Sequence, residues 1–233
     1  MAHQDCLICE EDLIYFESGK ELVCEYCQKT YTTNVSCKNN HFVCDNCHSA
    51  PSRDIIVTYC INSYSKNPIQ LANVLMKHPS VKMHGPEHHF IVPAVLLTAY
   101  YNATDHHLLL KEKLNQANQR SRNILGGFCG FYGACGAAIG TGIFMSLITG
   151  STPLSINEWS FSNKVTANSL QKVAEKGGPR CCKRDTYISI IEAIDLIKEK
   201  FDISLEKEEN IECIFNNFNA QCIFDRCNFY RKK

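Results

Sequence analysis

The chain has 233 residues, of which 45% are hydrophobic and 21% charged, and its formal net charge is zero. That is an ordinary globular composition, enough for one medium domain and a smaller one, and the lack of a basic excess excludes a whole-chain electrostatic footprint for nucleic acid. Fifteen cysteines far exceed ordinary usage; their odd number, their Cys-x-x-Cys pairs and a start, MAHQDCLICEEDL, without a basic or apolar leader predict a reduced cytoplasmic protein that binds metal through thiolates.

Residues 1–50 carry the spacing Cys6-x2-Cys9, Cys24-x2-Cys27, Cys37-x3-His41 and Cys44-x2-Cys47. Eight ligands suffice for two tetrahedral zinc ions, because each Cys-x-x-Cys turn points both sulfurs at one ion. So short a stretch buries little apolar surface, so metal supplies much of its folding energy. Two pairings stay open. A zinc ribbon joins Cys6/Cys9 with Cys24/Cys27; a cross-brace joins the first pair with Cys37/His41 and the second with Cys44/Cys47. The segment CKNNHFVCDNCH resembles the centre of RING-type cross-brace fingers and favours the latter, with His48 as a substitute ligand. Ligase chemistry does not follow from that spacing.

From Asp54 the sequence reads as helices. NPIQLANVLMKH has helical apolar spacing, and PEHHFIVPAVLLTAYYN opens on Pro86, which suits a first helical position. Pro93 inside it predicts a kink near His89. Thr104 or Asp105 is placed to cap HHLLLKEKLNQANQR, whose two histidines read as exposed helix-start residues. Ser155 and Glu158 have capping-box spacing, SNKVTANSLQKVAEKGG ends on a glycine stop, and TYISIIEAIDLIKEKF is amphipathic. Ile124 to Gly150 holds no charge and is long enough to span a membrane. Its glycines, alanines and Gly136-x3-Gly140 instead predict one closely packed buried helix, the centre of the fold. The expected fold is mainly α: an all-helical core domain at 54–205, preceded by the zinc-finger module and followed by a cysteine-containing extension, 206–233, packed on it.

Three further clusters carry chemistry. MHGPEHHF brings His84, Glu87, His88 and His89 to a helix start, where imidazoles stay neutral and able to bind metal. Glu87 is placed to orient a histidine or accept a proton. GGPRCCKRD sets Cys181 and Cys182 before a helix among Arg180, Lys183 and Arg184, which predicts lowered thiol pKa values. Two adjacent cysteines do not easily aim both sulfurs at one ion. Cys213-x8-Cys222-x4-Cys227 offers three ligands for an iron–sulfur cluster or a zinc ion, with a fourth from elsewhere.

CGAAIG, Cys135 to Gly140, is similar to the Cys-Gly-Ala-x-x-Gly motif of a family of small proteins held to be redox-active, and the resemblance covers residues 84–201. The family's first cysteine has no counterpart, His88 or His89 standing near its place, while Cys129 and the Cys181–Cys182 pair are extra. Through CKNNHFVCDNCH, HGPEHH, FCGFYGACGA and GGPRCCKRD the chain also resembles an uncharacterised cysteine-rich domain family of anaerobic bacteria and archaea. The resemblance implies a helical frame and a redox or metal role without naming a reaction.

The expected function is a metal-binding redox protein or metallo-enzyme of anaerobic metabolism. Cys129, Cys135, Cys181, Cys182, His84 and His88 would form one site for an iron–sulfur cluster or redox-active thiols. In the cluster version Cys135 and Cys182 are ligands. In the thiol version Cys182 attacks and Cys135 or Cys129 resolves. Cys135, Cys182, His88 and Glu87 are the candidate catalytic residues. The partner would be an electron donor or small-molecule substrate, with neither nucleic acid nor a membrane span expected. The alternative is a non-catalytic zinc-finger adaptor for a protein or nucleic-acid partner.

Overall fold

The computed structural model describes residues 6–48 and 50–231, apart from the Asp45 side chain. Residues 1–5, which opened the leader segment considered above, and residues 49 and 232–233 lie outside them.

The N-terminal module is an antiparallel hairpin of β1 (Leu13–Val23) and β2 (Thr30–Cys37), followed by the single-turn α1 (Asp45–His48). Leu13 pairs with Cys37 and Val23 with Thr30, and the register shifts between Tyr15 and Lys20. A two-stranded hairpin is marginal in water by itself, and this one is pinned to the rest of the chain. Tyr26 is fully buried and donates its hydroxyl to the Val74 carbonyl at 3.2 Å. Its ring meets His78 edge-on. The His78 Nδ1 accepts from the Ser80 amide at 3.2 Å, which leaves Nε2–H to donate to the Cys47 carbonyl at 2.8 Å. Lys77 reaches the Ile8 carbonyl at 2.9 Å. Cys24, Tyr26, Cys44 and Cys47 thus join the same buried cluster as Ile55, Leu75 and Phe90.

The remainder is mainly helical: α2 (Ser52–Asn62), α3 (Pro68–Lys77), α4 (Glu87–Ala103), α5 (Leu110–Ser121), α6 (Phe128–Phe131), α7 (Gly136–Thr149), α8 (Asn157–Lys176) and α9 (Cys182–Phe201). Asn67 starts α3, its side chain accepting from the Ile69 and Gln70 amides, with Pro68 at the first helical position. α4 is buried on nearly every face, as a helix apolar all round must be, and α2, α3, α5, α7 and α9 surround it. α4 runs continuously through Pro93, whose ring occupies space that glycine leaves open on α7. A Cβ at Gly140 would stand 2.9 Å from the Pro93 Cδ. Gly142 offers the same close approach to Thr166 of α8. α7 therefore lies between α4 and α8 because its small residues admit both neighbours.

Several expectations change. Ile124 to Gly150 is not one helix: α6 is a single turn, and the chain breaks before α7 begins at Gly136. Gly127 and Gly133 carry positive φ values of 88° and 64°, a backbone that glycine adopts freely, so the glycine run builds a turn as well as a packed helix. Among the described residues no helix is long and apolar enough to cross a membrane. Neither Thr104 nor Asp105 caps α5; Asp105 turns the chain at φ 57°, and a 3-10 turn at His107–Leu109 comes first. His107 is not simply exposed, since its ring nitrogens bond Asn102 and the Ile61 carbonyl. Ser155 bonds Thr152 and does not cap α8, which starts without a side-chain cap. Among the described residues beyond α9, regular structure is limited to the 3-10 turns Asn216–Phe218 and Phe224–Arg226 and a bridge between Cys213 and Tyr230.

Candidate functional site

The eight N-terminal ligands fall into two groups, Cys6/Cys9/Cys37/His41 and Cys24/Cys27/Cys44/Cys47, each with its ligand atoms within 4.8 Å of one another. Each can hold a metal ion. This is the cross-braced pairing: the hairpin brings Cys37 back beside Cys9, with their sulfurs 3.7 Å apart, and Cys27 stands 3.9 Å from Cys44. His41 presents Nδ1 to Cys9 at 3.2 Å and to Cys37 at 3.5 Å. A tetrahedral ion with metal–sulfur bonds of about 2.3 Å sets sulfurs about 3.8 Å apart, so the donor sets fit one. Burial opposes the Cys9 thiolate, but hydrogen bonds from the Glu11 backbone, Asn39 and His41 outweigh it and bring the thiol down to about 6. Cys44 is likewise brought down to about 7, by hydrogen bonds from Cys47, Tyr31 and Cys24 working against burial. His48 is exposed and belongs to neither group.

The helical part gathers a second polar region where α4, α7 and α9 begin. Cys135 precedes the first residue of α7, and its thiol points at Asp185 Oδ2 across 3.9 Å. Gly136 is packed so closely on the His89 ring that a Cβ there would overlap it. Cys182 opens α9, and a hydrogen bond from the Gly85 backbone partly offsets its burial. His88, fully buried, donates Nδ1–H to the Gly85 carbonyl at 3.0 Å and keeps Nε2 bare. Burial, with Lys183 nearby, drives its pKa well below the usual value, so the ring is neutral. Glu87 folds back to accept from the Lys82 amide at 2.7 Å. Cys129 is half-buried on α6.

The expected lowering of the Cys181 and Cys182 thiol pKa values is reversed. Burial pushes Cys182 up to about 11 and Cys135 up to about 12, and raises Cys181 as well. The neighbouring cations do not compensate, because they are committed elsewhere. Lys183 donates to the Met76 carbonyl at 2.8 Å and lies over the Phe215 ring, and burial brings its own pKa down to about 8. Arg184 pairs with Asp185 at 2.9 Å, both side chains buried. These thiols are protonated at neutral pH unless a metal displaces the proton. The buried Lys183–Arg184–Asp185 run, with Asp185 as its centre, is the part that sequence reading missed. Its signal was three consecutive charges in the first turn of a helix whose apolar stripe alone cannot say that they face inward.

Cys181 and Cys182 go to different places. Cys181 caps α9 with its sulfur, accepting from the Arg184 amide at 3.5 Å, and receives Asn219 Nδ2 at 3.5 Å. It lines a small cavity together with Cys213, Cys222 and Cys227. Since Asn219 Oδ1 accepts from the Gln221 amide at 3.0 Å, His84 Nε2 donates to the same oxygen at 3.1 Å. His84 is thereby drawn toward the C-terminal segment. Cys129, Cys135, Cys181, Cys182, His84 and His88 do not share one ion-sized site: among the described residues, only the two N-terminal groups bring three or more ligand atoms within 4.8 Å.

The family of unknown function DUF5714 matches residues 56–230. The chain belongs to this family. The matched span covers the helix-start region and the C-terminal cysteines, and begins after the eight N-terminal ligands. No curated protein and no solved structure matches the chain.

Proposed function

We propose that this DUF5714 member is a metal-binding redox protein or metallo-enzyme of a reduced cytoplasm. Residues 1–50 hold two structural zinc ions. The helical domain, 54–205, carries the chemistry, and 206–233 packs against it. The observation that carries this reading is a set of buried polar atoms without a hydrogen-bond partner: His84 Nδ1, His88 Nε2, Arg184 Nη1, Thr186 Oγ1 and Ser189 Oγ. Each such atom costs about 1–3 kcal/mol, and native proteins leave few. These come from two short stretches, 84–88 and 184–189, beside Cys135 and Cys182. Stability sacrificed at one place is a mark of function.

An iron–sulfur centre bound nearby would supply electron transfer. The chain's own groups have separable tasks. His88 Nε2 is a neutral base or ligand in a dry surrounding. Asp185 accepts from the Cys135 thiol and fixes its direction. The Arg184 partner keeps Asp185 oriented. The zinc assignment is supported by donor sets rich in thiolate at tetrahedral spacing.

The test is purification without oxygen, followed by counts of zinc, iron and acid-labile sulfide per chain and by visible absorption with and without dithionite. Zinc together with a chromophore that dithionite bleaches is expected. A colourless, iron-free protein whose Cys135 and Cys182 do not respond to oxidant would sink the reading. The adaptor would then remain, with Leu154, Ile156 and Trp159, exposed near the start of α8, as its contact surface.

A further inference from the structure

We infer that Cys181, Cys213, Cys222 and Cys227 hold an iron–sulfur cluster. The inference rests on the redox reading above and locates the cluster outside the helix-start region. The three C-terminal cysteines lacked a fourth ligand in sequence, and the fold supplies it from Cys181, the N-cap of α9. All four line one cavity, whose other walls include Met83 and Phe229.

Four observations support the assignment. First, three of the four sulfurs already accept hydrogen bonds suited to a thiolate. Phe215 N reaches Cys213 at 3.4 Å, Phe224 N reaches Cys222 at 3.4 Å, and Cys181 receives Arg184 N and Asn219 Nδ2 at 3.5 Å each. The amide two residues on donates to the sulfur in the same way at Cys6, from Ile8 at 3.4 Å, inside an N-terminal group. Such donors orient metal ligands and tune cluster potentials.

Second, the sulfur spacing separates this site from the other two. No three of these thiols lie within 4.8 Å of one another, whereas both N-terminal groups close to that distance. One tetrahedral ion needs sulfurs about 3.8 Å apart. Four cysteines around one cavity, not closed to single-ion spacing, match a four-iron cluster, which takes one thiolate per iron. Third, Arg184 lines the same cavity with Nη1 unpartnered, a buried positive charge facing a site that four thiolates would make negative. Fourth, residues 205–231 have two 3-10 turns and one bridge for regular structure. A segment with so few backbone ladders is the kind that metal staples.

The experiment uses the full chain, purified without oxygen and reconstituted with ferrous iron and sulfide. About four iron and four sulfide per chain are expected. Cys222→Ser and Cys227→Ser, both at half-buried positions, should each lose most of the iron, sulfide and colour while zinc stays unchanged. The paired Cys135→Ser, Cys182→Ser variant should keep them. A measurement free of variants is alkylation of the native protein followed by mass spectrometry: Cys213, Cys222 and Cys227 should be blocked until the cluster is destroyed oxidatively with chelator present. Iron that survives in Cys222→Ser and vanishes in the Cys135/Cys182 variant overturns the site and leaves the redox reading standing. So does an iron-free protein with reversible oxidation of Cys135 and Cys182. An additional zinc ion lost in Cys222→Ser, without iron, overturns the cluster.

Discussion

The Cys135 thiol and the Arg184 guanidinium hold the two oxygens of one carboxylate, Asp185, at 3.9 and 2.9 Å. All three side chains are buried. Burial raises the Asp185 pKa and Arg184 opposes that rise. Removing the carboxylate charge leaves Arg184 buried without an ionic partner. Asp185→Asn should therefore cost about 3–5 kcal/mol, the range for breaking a buried pair. Denaturant unfolding of holo protein measures it. A loss within the surface range of about 0.5 kcal/mol would show that the guanidinium finds other compensation.

Gly136 and Gly126 separate packing from flexibility. A Cβ at Gly136 overlaps the His89 ring, while a Cβ at Gly126 meets nothing within 4 Å. Gly136→Ala should destabilise by about 1–3 kcal/mol or more through overpacking, and should displace His89 from the Ile124 carbonyl that it bonds at 3.0 Å. Gly126→Ala should stay within about 0.5 kcal/mol of wild type. Paired thermal melts decide. Equal effects at both positions would contradict the close approach of α7 to α4.

Metal removal should reach beyond the module that binds it. Zinc in such sites contributes on the order of 10 kcal/mol of apparent binding free energy. With metal stripped by chelator, or with Cys9→Ser, residues 13–37 should lose hydrogen-exchange protection. Because Tyr26 bonds Val74 and His78 bonds Cys47, α3 should exchange faster too. Unchanged exchange in α3 would mean that the docking contacts carry little energy.

Acid should weaken the fold through the buried histidines. Burial lowers His88 and His89 below their ordinary 6.5. Above about 6.5 these rings are neutral in folded and unfolded chains alike, so the full stability is present. As pH falls below that value the unfolded chain takes up protons first, and stability declines until the folded pKa values are passed. Urea titrations between about pH 7.5 and 5.5, with bound metal verified at each point, should show this decline. His88→Leu should flatten it. An unchanged slope in that variant would remove His88 from the explanation.

Sequence carried the N-terminal ligand groups well because Cys-x-x-Cys geometry is local, and CKNNHFVCDNCH leaned toward the pairing found. Gly177 and the stripe of α9 announced a helix end and a helix face for the same reason, whereas the Asn67 cap emerges only in the structure. The break before Gly136 was hidden, because glycines serve a turn and a tight helix contact equally. The thiol environment at Cys181 and Cys182 was misjudged because sequence shows that Lys183 and Arg184 are near but not where their charges are spent. The companionship of Cys181 with Cys213, Cys222 and Cys227 depends on how the chain returns past α9, and no local spacing encodes that.

Cys181 and Cys182 are successive residues with Cα atoms about 3.8 Å apart, yet one faces the C-terminal cavity and the other the start of α4. The partition between the two compartments is thus a single peptide unit. On the redox reading proposed above, the two sulfurs would be joined by only a handful of covalent bonds. The same shortness removes mechanical insulation: a twist of the first turn of α9 that tightens one thiol's surroundings reorients the other. Two sites drawn separately on a map of this protein would share one hinge pin.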